Sequence, residues 1–133
     1  MNQAETHQIN RTVFVIEDHP IVCFGLVEMI KDLAPHASIK QFNTLREAGR
    51  AAQQAQPALL VTDFYLKDVT MSEFVGLFEQ IFPEVPVLVT NNDDNVMREL
   101  AKKKLDRFTV FSKYTPFPRL VDILREGLQV AGF

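Results

Sequence analysis

Five polar residues stand directly after apolar segments of this chain. Glu17 and Asp18 follow TVFVI, Asp63 follows ALLVT, Thr90 follows VPVLV, and Lys113 follows RFTVFS. Any one of them alone is what a chain leaving a core would show. Adjacent acids at the end of a buried strand repel each other and call for a cation. Three carboxylates with few nitrogen or sulfur donors suit a hard ion, and Mg2+ is held by one or two carboxylates with water completing its shell. A carboxylate can attack phosphorus and become an acyl phosphate. Lys113 would balance the phosphoryl oxygens and the Thr90 hydroxyl would donate to one of them. The chemistry these types support is Mg2+-dependent phosphoryl transfer to an aspartate.

The elements that must position them follow from pattern. Thr12–Ile16, residues 58–62, residues 85–89 and residues 107–112 read as strands, the first three as apolar runs of a buried sheet. Ser38–Phe42 alternates and reads as a short edge strand. Between these lie amphipathic stretches. Pro20 opens one and Pro35 stops it, since proline suits the first helical turn and cannot continue the last. Thr44 and Glu47 have capping-box spacing for a second helix, which Pro57 closes. Ser72 is a candidate cap for a third, carrying Phe74, Phe78 and Phe82, with Pro83 at its end. Asp94 is a candidate cap for a fourth, with Val96, Met97, Leu100, Ala101 and Leu105. Pro116 or Pro118 starts a fifth, with Leu120, Ile123, Leu124 and Leu128. Strands alternating with helices imply a parallel sheet covered on both faces. In such sheets ligands sit beyond the carboxyl ends of the strands, so the five polar residues should meet at one rim.

Composition narrows the function classes. The chain has 133 residues, 47% of them hydrophobic, which fits one globular domain. Lys plus Arg number 14 against 17 Asp plus Glu, a net charge of −3, which argues against direct nucleic-acid binding by this chain. Cys23 is the sole cysteine, so no internal disulfide and no cysteine zinc site is expected. Residues 1–11 form a polar leader without a signal core, and no run is long enough to cross a membrane; the expected location is the cytoplasm.

Through VFVIEDHPIVCFGL, LLVTDFYL, VLVTN and VFSK, the sequence resembles the receiver domain of bacterial two-component response regulators from Thr12 to about Gln129. EDHP further resembles receivers attached to LuxR-type helix-turn-helix domains. The resemblance implies a flavodoxin-like fold over residues 12–133, with strand order 2-1-3-4-5. It implies Asp63 as phosphoacceptor, and Asp18, Glu17, Asp63 and the Tyr65 backbone carbonyl as Mg2+ site. Thr90 and Lys113 would be the switch hydroxyl and its lysine partner. It implies a sensor histidine kinase or phosphotransfer protein as partner, an output such as transcription regulation, a possible homodimer, and no turnover of a separate substrate. Since the chain ends at Phe133, an output domain is not expected within it; it would stand alone or be part of a longer regulator.

Several positions depart from the family pattern. Residues 67–71 (KDVTM) lack the usual proline and glycine, which bears on the start of the third helix. Asn91 replaces a small residue. Tyr114 replaces a proline that follows the lysine in a cis bond, and a cis Lys-Tyr bond would cost about 3 kcal/mol. Val110 holds the aromatic switch position, flanked by Phe108 and Phe111. Tyr65 and Asn92 occupy positions that tune acyl-phosphate hydrolysis in the family. These departures support an alternative, a receiver-like interaction module that phosphate does not regulate. An aspartyl phosphatase is disfavoured because Asp63 follows the third strand and Tyr65 stands two beyond it. A flavin domain is disfavoured because residues 17–25 are acidic and lack a phosphate cradle.

Of the remaining candidates, His19 belongs to the turn before the first helix, and His7 and His36 have no partner motif. Cys23 reads as a helix-face residue. Lys102, Lys103 and Lys104 suit a helix carboxyl end, the alternative being a docking patch. Residues 120–130 are apolar enough for a dimer contact, though packing on the sheet accounts for them.

Overall fold

The computed structural model describes residues 11–91, 93, 95, 98, 100 and 107–133. The elements are β1 (Thr12–Ile16), α1 (Pro20–Leu33), β2 (Ser38–Phe42), α2 (Leu45–Gln54), β3 (Leu59–Asp63), α3 (Phe74–Ile81), β4 (Val87–Asn91), β5 (Phe108–Ser112) and α4 (Phe117–Val130). Asn95, Arg98 and Leu100, between β4 and β5, are also helical. The rest of the helix expected there lies outside the described residues, as do its candidate cap Asp94, the lysine run 102–104, Asn92 and residues 1–10.

All strands pair in parallel, in the order β2-β1-β3-β4-β5. Alternation sorts the two faces. Phe14, Ile16, Leu60, Val87 and Val89 pack with Leu45, Ala48, Ala52, Phe74 and Phe78 of α2 and α3. Val13, Val15, Leu59, Val61 and Leu88 pack with Leu26, Val27 and Ile30 of α1 and Ile123, Leu124 and Leu128 of α4. The apolar residues of α4 are therefore used on the sheet. Burial on both faces is why β1, β3 and β4 read as unbroken apolar runs.

Local chemistry sets the boundaries. Thr44 caps α2, its Oγ1 accepting from the Glu47 amide at 3.2 Å. A second cap comes from far along the chain: the Asp68 carboxylate accepts from the amides of Leu45 (3.1 Å) and Arg46 (2.8 Å). α3 starts at Phe74 with Glu73 at its N-cap and no side-chain cap, so Ser72 does not cap it. The Ser72 hydroxyl instead pairs with Thr70 Oγ1 at 3.3 Å, and Thr70 Oγ1 donates to Glu73 Oε1 at 2.6 Å. Without proline or glycine in the preceding loop, aromatic packing fixes this helix. Phe64, Phe74, Phe78 and Phe82 form a ladder with ring centroids 4.7, 4.3 and 5.7 Å apart.

β4 lies two residues later than its apolar run suggests. Pro86 has no amide to donate, and Glu84 takes φ 69° in the turn before it. The ladder begins after Pro86, whose carbonyl accepts from Leu60 N at 3.0 Å. Thr90 and Asn91 consequently sit inside the strand. β5 begins at Phe108; Arg107 precedes it, and its Nη1 donates to the carbonyls of Phe82 (2.8 Å) and Val85 (2.7 Å).

Candidate functional site

The carboxyl ends of β1, β3, β4 and β5 bring together the residues the sequence singles out. Asp63 is the last residue of β3 and is 2% exposed. Strand register sets Thr90 beside it, and Phe64 N donates to Thr90 O at 3.0 Å. Lys113 follows β5 and reaches across the rim, with Nζ 3.0 Å from Asp63 Oδ2 and 3.7 Å from Glu17 Oε2. The other Asp63 oxygen accepts from the Tyr65 amide at 3.1 Å. Both Asp63 oxygens are thus held in place.

Glu17 and Asp18 complete the acidic face. Glu17 is buried, and Asp18 keeps 15% of its side chain exposed. Lys67 Nζ lies 3.8 Å from Asp18 Oδ2, but its side chain is 70% exposed and solvent screens the pair. Glu17 and Asp63 therefore share one enclosed ammonium, and Asp18 beside them has only the screened Lys67 and His19. Among the described residues, the buried side-chain oxygens without a hydrogen-bond partner are Glu17 Oε2, Asp18 Oδ1 and Thr90 Oγ1. All three belong to this rim. Two of them keep a looser ionic neighbour, Lys113 Nζ at 3.7 Å from Glu17 Oε2 and His19 Nδ1 at 3.3 Å from Asp18 Oδ1, so the rim has acceptor capacity to spare. An oxygen-rich donor set fits Mg2+.

One residue that the sequence assigns only to a turn belongs to the cluster. His19 occupies the N-cap position of α1, yet its Nδ1 lies 2.5 Å from Glu17 Oε1, 3.3 Å from Asp18 Oδ1 and 3.9 Å from Asp63 Oδ2. Glu17, Asp18, His19 and Asp63 each present a donor atom, all within 4.8 Å of one another. Adjacency to the acidic pair was the one sequence signal for it.

Tyr65 hangs over the rim, 46% exposed, with its hydroxyl 3.4 Å from Asp93 Oδ2. Partial desolvation, then the Asp93 charge and its hydrogen bond, then Asp63, push the phenol pKa up. Burial, then the Glu17 charge, pushes the Cys23 thiol up, and its Sγ meets Gln41 Oε1 at 3.3 Å; it is not a poised nucleophile. His36 is exposed and takes no part in the cluster.

Three of the departures noted in the sequence have a structural counterpart among the described residues. No peptide bond among the described residues is cis, so Lys113-Tyr114 is trans. Asn91 is fully buried and its amide folds back on Asp93, Oδ1 accepting from Asp93 N at 3.1 Å. Val110 and Phe108 point to the face of α2 and α3, and Phe111 to the opposite face. Phe111 is the register partner of Thr90 but cannot stand in for an aromatic at position 110, because adjacent strand residues face opposite ways. A groove of about 790 Å³ lies at the other end of the sheet, between Pro57, Pro86, Arg107 and Gly127. It gathers none of this chemistry.

No protein-family model matches the sequence, and no curated protein matches it. Solved structures do match the fold. A response regulator receiver domain protein of Bacillus halodurans superposes with TM-score 0.72 at 13% identity, over 89% of this chain and 97% of that one. This is the receiver fold. The receiver domain of a DNA-binding response regulator from Colwellia psychrerythraea gives TM-score 0.71 at 21% identity, over 90% and 99% of the chains. The beryllofluoride-activated NtrC4 receiver domain dimer gives 0.71 at 17%, over 92% and 99%. The likeness establishes the receiver fold, with its 2-1-3-4-5 sheet, and does not single out the LuxR-type group. No helix among the described residues is long and apolar enough to cross a membrane.

Proposed function

We propose that this chain is a phosphorylatable receiver module of two-component signalling, with Asp63 as phosphoacceptor. The supporting observation is the trio of buried oxygens without a hydrogen bond, on the same rim as a carboxylate that Lys113 already holds. In the reaction an Asp63 oxygen forms a bond to phosphorus as the bond to the donor breaks, and the leaving group keeps the electron pair. The donor is a phosphohistidine of a sensor kinase or phosphotransfer protein, or a small acyl phosphate. Glu17, Asp18, Asp63 and the Tyr65 carbonyl would hold Mg2+, which when bound supplies neutralising charge for the transferred group. Lys113 offers an ammonium, and Thr90 an otherwise unused hydroxyl, to the phosphoryl oxygens. The chain acts on itself and not on a separate substrate. It works in the cytoplasm through protein partners, including a second copy of itself, and leaves nucleic-acid contact to others.

The phosphoryl group would favour one of two arrangements of the rim loops and so change partner contacts, with transcription as one output. A second reading, an interaction module independent of phosphate, is favoured by one observation: Val110 leaves the relay position without an aromatic ring. Intact mass after acetyl phosphate with Mg2+ tests the proposal. A gain of one phosphoryl group, absent without Mg2+, supports it; no gain in folded protein favours the second reading.

A further inference from the structure

We propose that His19 is a ligand of the divalent-cation site and makes it a mixed nitrogen-oxygen site that favours first-row transition ions over Mg2+. The inference rests on the reading of this rim as a cation site. The imidazole Nδ1 sits among oxygens of three carboxylates, 2.5 Å from Glu17, 3.3 Å from Asp18 and 3.9 Å from Asp63. Donor atoms of all four residues lie within 4.8 Å, a few tenths of an ångström wider than the roughly 4.0 to 4.4 Å between opposite ligands of an ion at about 2.0 to 2.2 Å. An independent observation points to a ligand. Two side chains of this rim are almost fully buried and keep an oxygen without a hydrogen bond: Glu17 Oε2, whose nearest cation is Lys113 Nζ at 3.7 Å, and Thr90 Oγ1.

The backbone that carries the ring is held in place. The His19 amide donates to Glu17 Oε1 at 3.1 Å, its carbonyl accepts from Cys23 N at 2.9 Å, and Pro20 starts α1 directly after it. With the backbone so anchored, a side-chain torsion is all that must adjust for the ring to ligate. Imidazole is a borderline donor that suits Co2+, Ni2+ and Zn2+, whereas Mg2+ takes oxygen ligands and keeps its waters. The nitrogen therefore strengthens binding of the transition ions and adds little for Mg2+.

The test uses the full chain with Mg2+, Co2+ and Mn2+ as probes. Titration calorimetry should show that His19→Ala weakens Co2+ at least tenfold and Mg2+ less than threefold. His19→Asn, which keeps a short polar side chain without an imidazole, should behave as the alanine variant does. Electron spin-echo spectra of bound Mn2+ should show modulation from a directly bound 14N that both variants lose. Equal losses for Co2+ and Mg2+, or no 14N signal from bound Mn2+, overturn the role of His19 and leave the site itself standing. Failure of the wild-type chain to bind any of the three ions overturns both this inference and the cation-site reading.

Discussion

Lys113 Nζ lies 3.0 Å from Asp63 Oδ2, joining side chains fifty positions apart, and also faces Glu17 Oε2 at 3.7 Å. One ammonium from the end of β5 thus serves carboxylates at the ends of β3 and β1. Removing it leaves buried carboxylates facing each other. Lys113→Ala should therefore lower stability by about 2 to 3 kcal/mol at neutral pH, the range for a lost charge-assisted bond in a largely buried setting. Asp63→Asn in that background should recover part of the loss. A double-mutant cycle by urea unfolding checks it, with a coupling of at least about 1 kcal/mol expected for side chains in contact.

Asp68 ties the loop after β3 to the amino end of α2 by accepting from Leu45 N and Arg46 N. Asp68→Ala should cost about 1 kcal/mol, as removal of a helix cap does. That corresponds to a fall of about 3 to 5 °C in Tm for a domain of this size. Asp68→Asn keeps one accepting oxygen and sets its NH2 against the other amide, so it should lose at least half as much. Calorimetry of the three proteins decides.

Gly127 lets α4 approach the sheet. A Cβ there would lie 2.8 Å from Leu88 Cδ1 and 3.3 Å from Leu88 Cγ. Gly127→Ala should destabilise by about 1 to 3 kcal/mol through overpacking, despite the better helix propensity of alanine. A Cβ on Gly76 of α3 would meet nothing within 4 Å, and Gly76→Ala should gain up to about 1 kcal/mol. Opposite signs in chemical unfolding are the expected outcome.

Tyr65 should titrate above the ordinary tyrosine value of 10.0, since desolvation and the nearby Asp93 both disfavour the phenolate. The folded pKa is raised, so its contribution to stability is present below the unfolded value and is lost as pH rises through the folded one. Absorbance at phenolate wavelengths in a Tyr114→Phe background isolates this group. Asp93→Asn should lower the Tyr65 midpoint.

Much of the site was legible because strand ends can be read from apolar runs. TVFVI and ALLVT place Glu17, Asp18 and Asp63 at one rim, and parallel topology carries Thr90 and Lys113 to the same place. Boundaries were less legible where proline and local polar pairs compete. Pro86 delays β4, and Thr70 engages Ser72 and Glu73 before α3 begins. Asp68 as a cap could not be read at all, because its partners are 22 and 23 residues away. The opposite faces of Val110 and Phe111 follow from strand period alone. The reach of His19 does not, since a side-chain torsion decides whether its ring meets water or the carboxylates.

If this rim works as proposed, Asp63 takes the phosphoryl group. The most direct measurement treats the chain with acetyl phosphate and Mg2+, reduces it with borohydride, and maps the peptides by mass. Borohydride converts an aspartyl acyl phosphate to homoserine. The expected result is homoserine at position 63, absent when Mg2+ is withheld and absent in Asp63→Asn. An unmodified Asp63 in folded protein, or homoserine at another aspartate, would contradict that role.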